Sequence, residues 1–228
     1  MGGVVSPVLS NIYLHYVLDL WFERRYAKTC QGKASLVRFA DDFIACFQDE
    51  KDARRFLIEL QKRLADFSLE VESSKTAVIR FGSNAEQSTN TKGKDGARTF
   101  NFLGFTHYVS RSRSGRFAVG RKTEGKRIRR KLKEVKVRLI LLSAQGGKAM
   151  FDYIKQHLQG HIQYYGVSGN DRSLKLYVRA LEEVLFKWLN RRSQRSSMVW
   201  ERFRKIMKTI LPPVRIVHNL YPKPPWKT

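Results

Sequence analysis

The chain is poor in cysteine and in long apolar runs, and each shortage excludes a class of protein. Its 2 cysteines, Cys30 and Cys46, are too few for a disulfide scaffold and suit a reducing compartment. No CxxC or Cys/His zinc pattern is present. His157 and His161 are spaced i, i+4 without a third ligand nearby, which favours a helix-surface pair. No apolar run has transmembrane length, and the apolar N-terminal stretch lacks the basic start of a signal peptide.

Acidic residues are also scarce. The chain has 20 of them against 44 basic residues, which gives a net charge of +24. The excess is concentrated after residue 120, because residues 121–228 hold 26 of the basic residues and 7 of the acidic ones. Such a surface predicts a polyanionic partner, and since the basic residues lie on several segments, we expect nucleic acid and no membrane. The step in charge predicts a domain boundary near residue 121.

Residues 36–47 are the most chemically specific segment of the chain, with two apolar runs on either side of Asp41 and Asp42. The runs predict two strands of a hairpin that carries both carboxylates at its tip. Adjacent like charges are costly unless a cation offsets them, and Mg²⁺ prefers hard oxygen ligands where substrate phosphates complete its coordination. The alternative is that both acids are ordinary turn residues, since Asp is common in turns.

Periodicity predicts a mixed first part and a helical second part. A first helix starts at Ser6-Pro7 and carries an apolar face of Leu9, Ile12, Tyr13, Tyr16, Val17 and Leu20. Further along the chain, glycines and a polar loop over residues 82–98 separate the segments. The predicted elements are helices over 6–26 and 50–67, strands over 71–81, 100–109 and 116–120, helices over 123–143, 148–165 and 171–190, and one short helix before Pro212-Pro213.

Several segments, taken in chain order, carry a resemblance to a known family. They are GGVVSPVLSNIYL (2–14), FADD (39–42), KT (75–76) and FLGF (102–105), followed by GHIQYY (160–165) and WLNRRSQ (188–194). In this order they resemble the later motifs of group II intron-encoded reverse transcriptases, over almost the whole chain. Each segment alone is weak, and their order makes the resemblance specific.

The resemblance implies an α+β fold, with a partial right-hand polymerase palm over residues 1–120 and an all-α thumb and maturase bundle over residues 121–228. It implies RNA-directed DNA synthesis by nucleotidyl transfer with two Mg²⁺ ions, and binding of intron RNA for splicing and mobility. The implied partners are group II intron RNA, an RNA template with a DNA primer, and deoxynucleoside triphosphates. The expected location is the bacterial cytoplasm, with an organelle as the alternative.

The family's site residues carry over motif by motif. Asp41 resembles a direct catalytic metal ligand and Asp42 its more loosely engaged partner. Lys75 resembles a lysine near the nucleotide phosphates, although from the residues alone it is a solvated lysine. The nucleotide-binding set is Gly2, Gly3 and Lys75, and the primer-grip set is Phe102, Leu103, Gly104 and Phe105. The alternative for the second set is a plain buried strand pair.

Two basic clusters are candidate RNA-binding sites. The first lies on the first bundle helix and comprises Lys126, Arg127, Arg129 and Arg130; the second comprises Arg191, Arg192 and Arg195 near Trp188 and Trp200. We expect the first to contact phosphates without reading sequence, with a solvated helix face as the alternative. Guanidinium and aromatic planes in the second suit phosphate contact and base stacking, although Trp188 itself favours the core.

The sequence departs from the family at its start. Family members carry fingers and an earlier palm strand with a third catalytic aspartate, which would lie before Met1. We expect a truncated copy, a misassigned start or one piece of a split enzyme that pairs with a fingers polypeptide or a second copy, and an isolated chain inactive in synthesis. Two alternatives stay open: a catalytically incomplete RNA-binding maturase fragment, and a reverse transcriptase of another retroelement class.

Overall fold

The computed structural model describes residues 5–82, 99–112, 114–191 and 198–221, and the chain divides into two compact units, Met1–Arg98 and Thr99–Thr228. Each unit combines helices with a small antiparallel sheet, so the predicted α+β class is confirmed. Packing thus separates the units at residue 98, whereas the boundary near residue 121 remains a prediction based on charge and resemblance. None of the helices in the four described ranges has the length and apolar character needed to cross a membrane.

The first unit begins with helical turns that run without a break over residues 6–29, which confirms the first predicted helix. Pro7 stands in its first turn, where a missing N–H leaves no hydrogen bond unmade. Two π-helical turns follow, and the helical segment ends in a tighter 3-10 turn. The parts are α1 (Ser6–Leu14), the π-helical turns His15–Asp19 and Phe22–Tyr26, and the 3-10 turn Ala27–Thr29.

The apolar face predicted for this helix is buried only towards its end. Val17 and the neighbouring Leu18 are each 1% exposed, whereas Leu9 is 59% and Tyr16 63% exposed. No residue of α1 is buried, so the prediction of a core-facing stripe from residue 9 onwards is wrong for its first part. Periodicity reports that a helix is amphipathic, but burial also requires an element that packs against the stripe.

A hairpin and a second helix complete the first unit. Strands β1 (Ala34–Phe39) and β2 (Asp42–Phe47) pair antiparallel, and α2 (Glu50–Ala65) follows. The Asp49 side chain caps α2 by accepting a hydrogen bond from the Lys51 N–H at 2.7 Å. The core of this unit is formed by side chains of the π-helical turns, α2 and one face of the hairpin. Its buried members are Val17, Leu18, Phe22, Tyr26, Phe56, Leu60 and Leu64.

The strand predicted over residues 71–81 is not formed. Residues 73–75 make a turn, in which the Glu72 carbonyl accepts from the Lys75 N–H and the Thr76 hydroxyl, each at 3.0 Å. Residues 76–81 belong to no helix or strand. A strand needs a neighbouring backbone with which to share hydrogen bonds, and the described sheet of this unit holds β1 and β2 alone.

The second unit opens with a three-stranded meander, as the aromatic segments predicted. Strand β4 (Phe105–Arg111) lies between β3 (Phe100–Phe102) and β5 (Phe117–Thr123), and both pairings are antiparallel. Phe102 pairs with Phe105, so Leu103 and Gly104 form a two-residue turn. Their φ angles are +49° and +79°, the pattern that matches strand twist in tight hairpins.

Four helices pack beside this sheet within the same unit; three were predicted to within a few residues, and the fourth is the short helix expected before Pro212-Pro213. Their shared core lies on the inward faces of the helices and includes Leu181 and Leu185. Pro212 and Pro213 follow the last helix, as expected of residues that cannot continue one. The helices are α3 (Gly125–Leu142), α4 (Gly147–Tyr165), α5 (Asp171–Asn190) and α6 (Trp200–Ile210).

The prediction that His157 and His161 form a helix-surface pair is wrong. His161 is 7% exposed and its ring stacks on that of Tyr177 with centroids 3.8 Å apart. His157 is half-buried, and its Nε2 lies 2.6 Å from the Tyr177 hydroxyl. The pair faces inward because α4 turns the same stripe as Ile154 and Leu158 toward α5.

The burial of His161 makes the stability of the second unit depend on pH. Burial, with the nearby His157 and Lys131, lowers the pKa of His161 from 6.5 to about 4. Between these values the unfolded chain binds the extra proton, so stability is fully present above pH 6.5 and is lost as the pH falls. We expect the free energy of unfolding to fall by about 2 kcal/mol from pH 7 to pH 5.

A variant separates this effect from general acid sensitivity. His161→Phe keeps a ring against Tyr177 and removes the titrating group, so its unfolding free energy should fall less over the same range. The contribution of His157, whose pKa burial also lowers, remains in the variant. Urea unfolding followed by far-ultraviolet circular dichroism measures both proteins, and an unchanged pH dependence in the variant would contradict the assignment.

Candidate catalytic hairpin and nucleic-acid interface

The structure places Asp41 and Asp42 at the tip of the β1–β2 hairpin. Phe39 pairs with Asp42, so Ala40 and Asp41 form the turn between the strands. Both acids are exposed. Neither side chain takes part in an ion pair or side-chain hydrogen bond within the described ranges, although basic residues outnumber acidic ones more than two to one. In such a chain, two adjacent carboxylates without cationic partners are suited to an external cation.

Arg38 fixes the backbone of this turn, and sequence analysis missed it. Its Nη1 donates to the Ala40 carbonyl at 2.8 Å and to Asn11 Oδ1 at 2.9 Å. Its Nε and Nη2 bind the two carboxylate oxygens of Asp19 at 2.8 and 2.7 Å. One guanidinium therefore joins the helical segment to the residue that precedes Asp41.

Partial burial strengthens this bidentate pair. The Arg38 side chain is 12% exposed, and its hydrogen bonds hold the pKa of the Asp19 carboxyl below its ordinary value. The signal in the sequence is an arginine at a core-facing position of an apolar strand, since Leu36 on the same face packs into the core. An arginine at such a position must have a partner, but sequence alone does not say which acid supplies it.

The described residues fit a divalent metal only in part. They contain no group of three or more His, Cys, Asp or Glu side chains able to hold a metal ion. Asp41 and Asp42 are two hard carboxylate ligands in an exposed position. Mg²⁺ is commonly bound by one or two carboxylates together with substrate phosphates and water, so the pair fits Mg²⁺ shared with a nucleotide and does not fit a closed protein cage.

The other predicted nucleotide-binding residues do not form a described cluster with the acids. Lys75 is exposed and lies in the turn that replaces the predicted strand. Gly2 and Gly3 lie outside the described residues. The nucleotide-binding role of all three stays a prediction.

In the second unit, the turn of the primer-grip segment is held by two helices. The Tyr164 hydroxyl donates to the Leu103 carbonyl at 2.9 Å, and the Glu124 N–H donates to the Gly104 carbonyl at 3.0 Å. A side chain at Gly104 would begin 2.8 Å from the Tyr165 hydroxyl and 3.2 Å from Arg127 Nε. Only glycine fits this crowded position of positive φ.

The same contacts decide what the segment exposes. Gly104 and Phe105 are buried, with Phe105 packed against Tyr165, while Phe102 is half-buried. Phe105 thus packs inward, and Tyr165 and Arg127 lie close to the Gly104 backbone. The primer-grip role of the segment stays a prediction.

The first basic cluster is exposed on α3, as its charge predicted. Lys126, Arg127, Arg129 and Arg130 are all exposed. Two acids partly offset them: Glu124 binds Arg127 at 3.3 Å, and Glu134 binds Arg130 at 3.5 Å. Most of the positive charge on this helix has no acidic partner along it, so the surface favours a polyanion.

The second cluster is described only at Arg191, since Arg192 and Arg195 lie outside the described residues. The Arg191 guanidinium lies 4.8 Å from the centroid of Trp188, a cation–π contact at the end of α5. Trp188 is half-buried against the bundle core, as expected. Trp200 packs edge-on against Phe186 at 4.6 Å, so this ring is occupied within the unit.

The exposed acid pair on a small antiparallel sheet defines a candidate metal-dependent site of an α+β protein. Residues 1–107 match the family described as reverse transcriptase (RNA-dependent DNA polymerase). The matched segment contains the hairpin with Asp41 and Asp42 and ends in β4, just after the FLGF turn. Over this segment the chain is similar to reverse transcriptases, a class that uses divalent metal ions and binds an RNA template, a primer and nucleotides. No curated protein sequence matches the chain.

The Arg38 contacts predict that the hairpin depends on one side chain. Arg38→Met removes the donor to the Ala40 carbonyl and leaves the partly buried Asp19 carboxylate with His15 as its remaining described partner, so we expect the first unit to lose about 2 to 3 kcal/mol of unfolding free energy. Arg54→Met is the matched control, because Arg54 pairs with Glu50 at the surface and such pairs contribute about 0.5 kcal/mol.

Urea unfolding measures the loss of unfolding free energy, and hydrogen exchange measures the protection of the β1 and β2 amides. The amides of the hairpin should lose protection in Arg38→Met and keep it in Arg54→Met. Equal effects of the two variants would show that Arg38 is an ordinary surface residue.

Proposed function

We propose that the chain carries the later palm, thumb and maturase motifs of a group II intron reverse transcriptase. Its parent activities are RNA-directed DNA synthesis by nucleotidyl transfer and binding of intron RNA for splicing and mobility. The observation that carries the polymerase part is the pair Asp41 and Asp42, exposed without cationic partners at a hairpin tip inside the reverse transcriptase match.

The residues of the first unit have separable tasks in this proposal. Asp41 and Asp42 would hold Mg²⁺, and a bound ion would supply Lewis-acid activation of the primer 3′ hydroxyl and compensation of charge on the pyrophosphate leaving group. Arg38 keeps the turn in one conformation by binding the Ala40 carbonyl, so that both carboxylates start from fixed backbone positions. Lys75 contributes positive charge near the nucleotide phosphates.

A contact between two motifs supports the group II intron origin. The GHIQYY segment lies beyond the family match, yet its Tyr164 and Tyr165 pack on the turn of the FLGF segment. Two segments that carry the resemblance separately are therefore parts of one packing arrangement. The WLNRRSQ segment, which includes Arg191, also supports a group II intron origin, because it resembles a maturase region that other retroelement classes lack.

The second candidate function is an RNA-binding maturase fragment without polymerase activity. The described residues offer two carboxylates and no third metal ligand, whereas residues 121–228 hold most of the positive charge. In this alternative the second unit binds intron RNA and the hairpin is a remnant of catalysis.

Primer extension separates the two functions. On an RNA template with Mg²⁺, we expect the 228-residue chain alone not to extend a primer, because two-metal catalysis needs more carboxylate ligands than Asp41 and Asp42. Addition of a fingers polypeptide that carries a third aspartate should restore synthesis. Asp41→Asn should then lower the rate at least about 100-fold, equivalent to about 3 kcal/mol.

The outcomes differ for each candidate. Synthesis by the chain alone that disappears in Asp41→Asn would contradict the expected inactivity. Failure of every fingers polypeptide to restore synthesis, with RNA binding intact, would leave the maturase fragment as the function.

RNA binding should be strongly salt-dependent. If about six phosphates are neutralised, log affinity against log salt has a slope of roughly −4 for single-stranded RNA. Replacing Lys126, Arg129 and Arg130 with alanine should bring this slope to roughly −2, equally for intron RNA and for a scrambled RNA. Alanines at Arg24, Arg25 and Lys28 remove the same charge from the first unit and serve as the matched control.

The second basic cluster tests the intron-specific part. Alanines at Arg191, Arg192 and Arg195 should weaken binding of the cognate intron more than binding of scrambled RNA of equal length. Competition binding at one fixed salt concentration measures both. Equal losses of affinity for the two RNAs would contradict the maturase role. A salt slope that is unchanged by alanines at Lys126, Arg129 and Arg130 would contradict α3 as the phosphate-binding surface.

A further inference from the structure

Arg127 differs from the other residues of its basic cluster because it packs on a turn. Its Cδ and Nε would lie 3.2 Å from a Cβ at Gly104, and its Nε donates to Glu124 Oε2 at 3.3 Å. No such hairpin contact is described for Lys126, Arg129 or Arg130. The Arg127 side chain still has 44% of its surface exposed, so its guanidinium is open to an anion from outside.

Glu124 is held at the same turn by three interactions. Its N–H donates to the Gly104 carbonyl, its Oε1 accepts from Asn101 Nδ2 at 3.4 Å, and its Oε2 accepts from Arg127. The side chain is 18% exposed. A carboxylate fixed in this way competes with any external anion for the guanidinium.

We propose that Arg127 binds a phosphodiester group of a nucleic-acid strand that lies over the Leu103 and Gly104 turn, and that the phosphate displaces Glu124 from the guanidinium. This rests on the proposed nucleic-acid-binding function. Because Gly104 is buried, the strand meets the Arg127 side chain and the exposed ring of Tyr164 instead of the turn's backbone. Glu124 therefore sets the affinity of the site.

A phosphate can replace the Glu124 carboxylate on the Arg127 guanidinium because it is the stronger partner. A partly exposed ion pair such as Glu124 with Arg127 is weak, because water screens it and two side chains must be ordered. A phosphate accepts two parallel hydrogen bonds from a guanidinium, which makes it the stronger partner. The Tyr164 ring adds a surface on which a base can stack beside the bound phosphate.

Removal of the competing carboxylate should raise affinity, which a purely structural role of Glu124 would not do. Glu124→Gln keeps an oxygen and an amide at the turn and leaves the backbone N–H in place. We expect it to bind a DNA primer annealed to an RNA template about threefold more tightly, and Arg127→Ala about tenfold more weakly, at moderate salt. Fluorescence anisotropy with the full chain measures both affinities.

Two further variants make the result specific. The double variant Glu124→Gln/Arg127→Ala should bind like Arg127→Ala alone, because Glu124 acts through Arg127. Glu183→Gln is the matched control: it removes the same charge from the same unit, where Glu183 pairs with Arg179 on α5, outside both basic clusters. It should raise affinity less than Glu124→Gln does.

The outcomes separate this inference from the proposed function. Equal gains in Glu124→Gln and Glu183→Gln would show general electrostatics, and a lower affinity in Glu124→Gln would show a structural role; either overturns the inference while nucleic-acid binding stands. A wild-type chain that binds neither the primer–template nor single-stranded RNA would overturn the proposed function and this inference together. Equal circular dichroism spectra and melting temperatures establish that the variants are folded.

Discussion

The number of carboxylate groups limits how many basic side chains of this molecule can form ion pairs, so the positions of the acids determine its polar interactions. With 20 acids for 44 bases, an acid that is placed beside two cations stabilises more charge than one that is placed beside a single cation. Two acids of the described residues illustrate this placement. Glu50 binds Arg54 and Arg80, and Glu134 binds Arg130 and Lys131.

Against that background, the environment of Asp41 and Asp42 is informative. Carboxylates that could neutralise neighbouring arginines instead stand at a hairpin tip without a described cationic side chain. Keeping them there has a structural requirement, which Arg38 meets by binding the backbone of the turn and not the carboxylates themselves. The Arg38 guanidinium binds the Asp19 carboxylate, so Asp41 and Asp42 at the hairpin tip remain available for a metal.

Much of the fold could be predicted because it depends on short-range patterns. The helices α2 to α6 and the strands β3 to β5 follow from apolar spacing and from glycine or proline at their ends. Three features could not be predicted in this way: the exposure of Leu9 and Tyr16, the burial of His161, and the absence of a strand in the described residues 71–81. Each depends on whether a second element lies alongside, which residue spacing does not encode.

The candidate site shows the same division. Asp41 and Asp42 were predicted because the turn and its flanking strands are contiguous in sequence. Arg38, Asp19, Glu124 and Tyr164 were missed as supporting residues because each has a partner on another element that lies 19 to 61 residues away in the sequence. An arginine on a core-facing strand position is a usable signal of such support, whereas the tyrosine that holds Leu103 carries none in its local sequence.

Salt has opposite effects on two kinds of contact made by this protein: it weakens binding to a polyanion, and it favours contact between copies through the exposed apolar face of α1. Added salt weakens the attraction between the basic surface and a polyanion, but it also screens the repulsion between copies of a chain with a charge of +24. Once that repulsion is screened, exposed side chains such as Leu9 and Tyr16 favour contact between copies. The colloidal behaviour of the protein is thus coupled to its occupancy by nucleic acid, because a bound polyanion reduces the charge that keeps the copies apart.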